Sequence, residues 1–356
     1  MLRLHVVQAE YGDCFILESK IGKKPTNILV DGGPYQTFKK HLKPTLQKLP
    51  LNGKLDLMVL SHIDNDHIIG LLDLLLEIKN QRENRAKELI GVEKLWHNSF
   101  EDLLQIHEEP KTLLENFLLI EKKSLVMKGF QQGTELAKLA KLLKISINPD
   151  FDKLIVVNDK IRSINLNDIT LHLLGPTKNN VDKLRKEWKK WFKKKRTEET
   201  FFGFVQVLDK SVPNLASIAF LVEADSRKIL FTGDGLGHDI VELLQKNRML
   251  DKHVKFHVDV LKIPHHGSDR NSSLEFFDII NAKYYIISAN GKDDNPSLST
   301  LRWIIESGNT HEIHKKIILT NMTPNVKRIL QEYDQNKYNY ETIVLKYKDH
   351  FMTIDL

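Results

Sequence analysis

The chain has 356 residues, 41% hydrophobic and 28% charged, a balance that fits a folded globular protein and excludes disordered and collagen-like classes. The net charge of +6 is too small to matter unless it is clustered, and the single cysteine, Cys14, excludes an internal disulfide or a Cys-based zinc site. No apolar run approaches a membrane span and no leader pattern opens the chain, so a cytoplasmic protein without a membrane partner is expected.

Residues 4–7 and 14–18 read as strands around the turn Tyr11-Gly12-Asp13. Residues 27–30 form a third strand that ends in Asp31-Gly32-Gly33-Pro34. Taken alone, that Asp is better explained as a solvated turn residue. A helix is expected over 38–49 and a strand over 55–60. The strand runs into Ser61-His62-Ile63-Asp64-Asn65-Asp66-His67, which places four metal-capable side chains on a turn between strand and helix. A turn aims imidazoles and carboxylates at one point, so the motif is expected to hold one or two divalent metals.

Helical spacing follows over 69–87, 100–122 and 134–143, with a short strand at 91–97. Residues 153–157, 161–164 and 169–174 read as strands. The segment 182–196 carries nine Lys or Arg against Asp182 and Glu187, with Leu184, Trp188, Trp191 and Phe192 on one face. Its plain reading is a helix packed by its Trp face with lysines in solvent. Its functional reading is a polyanion-binding face, with Lys189, Lys190, Lys193 and Lys194 on phosphates and Trp188 and Trp191 against bases.

Strands at 216–223 and 228–232 pair as a hairpin ending in Thr232-Gly233-Asp234-Gly235, followed by a helix at 237–245. The strand at 258–263 ends in Pro264-His265-His266-Gly267-Ser268. Helices at 274–280 and 298–307 alternate with strands at 284–288 and 317–320, and strands alternate over 342–354. No linker or repeat divides the chain, so one α/β domain over 1–356 is expected.

Four strand ends therefore carry chemistry: Asp31, the group from His62 to His67, Asp234, and His265-His266. Two cations about 3.5–4 Å apart need imidazoles, carboxylates and one bridging carboxylate. Asp66 and His67 suit one cation, His62 and Asp64 the other, with Asp234 as the bridge and His265 closing the coordination of the second cation.

These residues resemble the metallo-β-lactamase superfamily, whose signature H-x-[HD]-x-D-H is matched by His62-x-Asp64-x-Asp66-His67 and followed by Asp234 and His265. Gly12-Asp13, Val30-Asp31-Gly32-Gly33, Thr232-Gly233-Asp234 and the run from Val260 to Ser268 resemble its ComEC-like branch, the hydrolase domain of competence proteins. The resemblance implies a four-layer αββα sandwich, with a helical insertion at 78–148, a basic insertion at 178–213 and a C-terminal extension at 321–356. It implies His62, Asp64, Asp66, His67, Asp234 and His265 as ligands of two divalent ions, Zn²⁺ first and Mn²⁺ as the alternative. Asp66 and His266 would stand at the catalytic centre, His266 as ligand or proton carrier, and Asp31 would orient a histidine.

Two departures stand out. The histidine that most of the superfamily places in a third motif is missing at 173–176 and 214–217, a lack shared with ComEC-like members, and the nearest alternatives are His172 and His97. Asn295 precedes Pro296 where the family often has a histidine. The implied activity is hydrolysis of a phosphodiester, with DNA or RNA as the partner substrate. Hydrolysis of a small ester, lactone, nucleotide or cyclic nucleotide is the alternative. A reading of another class is a regulated effector or partner-binding module of a defence system, with the stretch 78–148 as its protein-binding surface.

Overall fold

A computed structural model describes residues 1–99, 102–103, 125–193, 215–250, 255–308, 313–346 and 348–356, with the side chains of 125–130 and 187–193 outside that description. Among the described residues, strands are numbered β1–β17 and helices α1–α8 in chain order. In the first sheet, β1 (Leu2–Val7), β2 (Phe15–Ser19) and β3 (Thr26–Val30) form an antiparallel meander. β5 (Leu57–Val59), β7 (Lys94–Trp96) and β8 (Ser146–Ile147) extend it in parallel, and β17 (Phe351–Asp355) closes the far edge against β1. β4 (Lys54–Leu55) and β6 (Gly91–Val92) pair separately.

The second sheet repeats this plan. β9 (Ser163–Leu166), β10 (Ile169–Leu173), β11 (Phe220–Ala224) and β12 (Arg227–Phe231) are antiparallel. They continue in parallel into β13 (Phe256–Lys262), β14 (Ile280–Ile287), β15 (Lys315–Leu319) and β16 (Tyr340–Val344).

Alternation along the first-sheet strands explains the layering, because successive side chains face opposite sides. Leu4, Val6, Phe15, Leu17, Ile28, Val30, Leu57 and Val59 belong to the core shared with the second sheet. Ile16, Leu29 and Met58 belong to the core under the helices α2 (Asn65–Glu83) and α3 (Leu125–Leu142). Aromatic pairs cross between the sheets, Trp96 to Phe220 at 6.0 Å and Phe15 to Phe231 at 5.9 Å between ring centroids. On the outer side of the second sheet, Ile240, Leu243, Phe276, Phe277, Leu301 and Ile304 are buried from α5 (Gly237–Lys246), α6 (Leu274–Ile279) and α7 (Leu298–Glu306). The result is the expected αββα sandwich. No helix among the described residues is long and apolar enough to cross a membrane.

The structure also differs from expectation. The stretch 78–148 is not one helical insertion, because β7 and β8 inside it belong to the first sheet. Parallel neighbours need a crossover, and α3 packs on α2 along that path. The expected helix at 100–122 lies outside the described residues apart from Asp102 and Leu103. The strands expected in the tail are present, as β16 and β17 at the edges of the two sheets. Within it, α8 (Pro324–Glu332) was not expected, although Thr323 caps it by accepting from the Val326 N–H and Pro324 opens its first turn. Residues 153–157 are not a strand either, with Val157 making only an isolated bridge to Thr177. The first helical stretch is split, a π-turn over Phe38–Leu42 preceding α1 (Lys43–Lys48).

Candidate metal centre

The ends of β3, β5, β12 and β13 and the β1–β2 turn meet at one place. His62 Nε2 lies 3.6 Å from Asp64 Oδ2 and 3.7 Å from Asp234 Oδ2. His67 Nε2 lies 3.6 Å from Asp234 Oδ1. His265 Nε2 and His266 Nε2 reach Asp234 Oδ2 at 3.5 Å and 3.6 Å, and His266 Nε2 is also 3.4 Å from Asp66 Oδ2. These separations are too long for good hydrogen bonds and suit donors placed around a common cation.

Each imidazole is held from behind at Nδ1. His67 Nδ1 donates to Asp31 Oδ2 at 2.9 Å and His266 Nδ1 to the Ser288 carbonyl at 2.9 Å. His265 Nδ1 donates to Asn271 Oδ1 at 2.9 Å, an orientation settled by Asn271 Nδ2 donating to the Asp234 carbonyl. Ser61 Oγ donates to Asp31 Oδ2 at 2.7 Å and so accepts from His62 Nδ1 at 3.1 Å. Such partners fix the tautomer and leave Nε2 as the ligating nitrogen. His62 Nε2, His67 Nε2, His266 Nε2 and Asp234 Oδ1 are buried without a hydrogen-bond partner. Buried polar atoms of this kind cost stability unless something satisfies them. The donor set and these orphaned atoms fit divalent cations.

Backbone geometry places the ligands. The Asp31-Gly32-Gly33 loop docks on the first turn of α2, with Gly32 N–H donating to the His67 carbonyl and Gly70 N–H to the Gly33 carbonyl. A Cβ on Gly70 would fall 1.8 Å from Gly32 O, so only glycine allows this approach. Asp31, His265 and His266 all have positive φ, at 56°, 47° and 55°. Consecutive left-handed histidines are costly, and they turn both rings toward Asp234.

Asp13, His67, Asp234 and His266 form a fully buried set whose donor atoms gather within 4.8 Å. Asp13 faces the Nδ1 side of two rings, 3.4 Å from His266 and 3.9 Å from His67, and pairs with Lys262. Its place is behind the ligands, beside Asp31. Burial alone would raise the Asp234 carboxyl, yet the four surrounding imidazoles hold it well below the usual range. Burial works against charge on His266 too, but Asp234 and Asp13 prevail and push it up to about 10. His67 is raised in the same way, and Asp66 is lowered by His266 and His67 against its own burial.

His62, Asp64, Asp66, His67, Asp234, His265, His266 and Asp31 are therefore brought together. His172 is not, since it bonds Ser163 and Glu223 on the second sheet. His97 lies buried against Gly133, and burial lowers it to about 4. Where the third-motif histidine is missing, Ser217 Oγ accepts from the Asp234 N–H at 3.2 Å. Lys189, Lys190, Lys193, Trp188 and Trp191 fall on α4 (Lys178–Lys193), but their side chains and the whole of Lys194 lie outside the described residues. The sequence reading missed Asp13 and Lys262. A lysine at the buried end of the apolar run Val-Leu-Lys-Ile was the available signal for the second.

Imidazoles and carboxylates converging at strand ends from both sheets of an αββα sandwich define a metal-dependent hydrolase. The metallo-beta-lactamase superfamily profile matches residues 10–292, and the chain belongs to that superfamily. No curated protein matches it significantly. Among solved structures it is similar to the metallo-beta-lactamase fold protein YhfI from Bacillus subtilis, at 12% identity over 99% of each chain with a TM-score of 0.42. It is also similar to Zn²⁺-bound PqqB from Methylobacterium extorquens, at 10% identity over 99% of this chain and 100% of that one, with a TM-score of 0.43. A diphosphatase of the PhnP family is similar at 13% identity over 81% and 87%, with a TM-score of 0.36.

Proposed function

We propose that this chain is a phosphodiesterase acting on DNA or RNA, of the ComEC-like kind. The observation that carries this reading is a strongly basic helix tethered beside the metal cluster. α4 opens with Asn180 donating to Asp239 at 2.7 Å, on the helix that follows Asp234. Val181 and Leu184 are buried in the same apolar cluster as Ile63 of the signature turn. Lys183, Arg185 and Lys186 follow this anchor directly, and the sequence carries six more Lys or Arg up to residue 196, a charge density that suits a polyanion.

His62, Asp64 and His265 would hold one cation, Asp66, His67 and His266 the other, and Asp234 both. The paired histidines then supply one imidazole to each side, which offsets the missing third-motif residue. Two divalent cations, Zn²⁺ or Mn²⁺, would supply the Lewis acidity that activates water near neutral pH and offsets charge on phosphate oxygens. Asp31, Ser61, Asn271 and the Ser288 carbonyl keep the four rings in register for that task. His265, whose side chain is 30% exposed against 5% for His266, forms the mouth of the site.

A salt series on purified protein tests the substrate class. Apparent affinity for a long oligonucleotide should fall steeply with salt, and charge reversal at Lys189, Lys193 and Lys194 should flatten that slope. A salt-independent KM together with turnover of small esters or lactones would favour the alternative hydrolase reading.

A further inference from the structure

Beneath the proposed ligands lies a side chain that the mechanism above does not use. Lys262 ends β13 and is fully buried. Its Nζ pairs with Asp13, donates to the Gly233 carbonyl at 2.9 Å and stands 3.6 Å from Asp234 Oδ1. Its own carbonyl accepts from Thr232 Oγ1 at 2.9 Å, which ties the ends of β12 and β13 together. Burying an ammonium is expensive, and a neutral side chain of similar length would fill the space at lower cost. The charge therefore needs a reason.

The carboxylates of Asp13, Asp31, Asp64, Asp66 and Asp234 supply one more negative charge than two divalent cations can balance. Without metal the imbalance is larger, and the repulsion between Asp13 and Asp234 is less fully offset. The ammonium, paired with Asp13 and 3.6 Å from Asp234 Oδ1, opposes that repulsion, and near the cations it also opposes their binding. We propose that Lys262 is a built-in counter-charge, a positioning residue that keeps Asp234 ligand-ready and Asp13 seated behind the histidines before metal arrives, and sets how tightly the cluster loads. The assignment rests on the metal-centre reading above.

The test compares wild type, Lys262→Gln and Lys262→Arg, each metal-free and loaded. Gln can still donate to Asp13 and to the Gly233 carbonyl, so it removes the charge while keeping hydrogen-bonding capacity. Competition titration against a chromophoric chelator measures Mn²⁺ and Zn²⁺ affinity, and thermal melting measures stability. Lys262→Gln should bind metal at least tenfold more tightly than wild type. It should melt lower when metal-free and recover most of that loss when loaded, whereas Lys262→Arg should track wild type. Equal melting losses with and without metal, at unchanged affinity, would overturn the proposal and make Lys262 a packing residue. Failure of the wild type to bind either ion would instead remove the metal-centre reading, and this proposal with it. If Lys262→Gln folds only with metal, that supports the proposal. If it folds in neither form while Lys262→Met folds with wild-type affinity, the proposal is refuted.

Discussion

Gly70→Ala sets two effects of opposite sign against each other. In a helix interior, Ala is favoured over Gly by about 1 kcal/mol, so an unconstrained α2 would gain stability. The added Cβ would sit 1.8 Å from Gly32 O, 2.6 Å from Gly32 C and 3.0 Å from Gly32 Cα, all backbone atoms with no rotamer to yield. Relief needs a displacement of roughly 1.4 Å, and overpacking of that kind costs about 1–3 kcal/mol. The same displacement breaks the bonds from Gly32 N–H to the His67 carbonyl and from Gly70 N–H to the Gly33 carbonyl, at about 1 kcal/mol each. The expected net loss is about 2–4 kcal/mol, read from urea unfolding of the metal-free protein. Because Asp31 and His67 lie on the two parts that separate, metal affinity should fall about tenfold or more as well. A Gly70→Ala protein as stable as wild type, with unchanged metal affinity, would refute the close approach and the coupling drawn from it.

Three further outcomes follow from the same geometry. Asp31→Asn should weaken Zn²⁺ or Mn²⁺ binding by about 10–100-fold in a metal titration, while the fold persists, because Asn tolerates the left-handed backbone that Asp31 adopts. Lys315→Met should lower stability by about 2–3 kcal/mol in urea unfolding and leave metal binding intact, since its ammonium donates to the carbonyls of Ile304, Ile305 and Ser307 at the end of α7, away from the cluster. His266 and His67 have raised pKa values in the metal-free fold, so folded protein holds protons that unfolded protein has lost. The stabilising contribution of His266 is complete below about pH 6.5 and fades as pH rises toward about 10, and His67 acts in the same direction, so metal-free protein should weaken across that window and loaded protein should not. At pH 7.5, metal uptake should release protons, visible by calorimetry in buffers of different ionisation enthalpy.

Much of the site was legible because its residues fall where apolar runs stop. Val59-Leu60 before Ser61, Phe231 before Thr232, and Ile263 before Pro264 each mark a buried strand whose end carries a polar side chain. The remainder depends on features that no local pattern encodes. Nothing in the dipeptide His265-His266 announces two successive positive φ values, and so the sequence left His266 open between ligand and proton carrier where the fold turns both rings inward. Asp13 looked like turn chemistry because its partners, Lys262 and His266, lie at distant positions and meet it only in the assembled sandwich. The strand expected at 91–97 is present as β6 and β7, but β8 was hidden beyond a helical stretch, since a two-residue strand takes its stability from sheet neighbours and carries little periodicity of its own. The helix α8 was readable from Thr323-Pro324, whose capping signal was overlooked.

The central claim is that these strand ends hold metal ions that hydrolyse a phosphodiester. Its most direct test is cleavage of single- and double-stranded DNA and RNA by purified protein, with Mn²⁺ or Zn²⁺, alongside the Asp66→Ala/His67→Ala variant. The account predicts metal-dependent cleavage by the wild type, abolished by chelator and reduced in the double variant by at least a thousandfold, about 4 kcal/mol in the barrier. Equal cleavage by wild type and variant, or cleavage indifferent to metal, would contradict it.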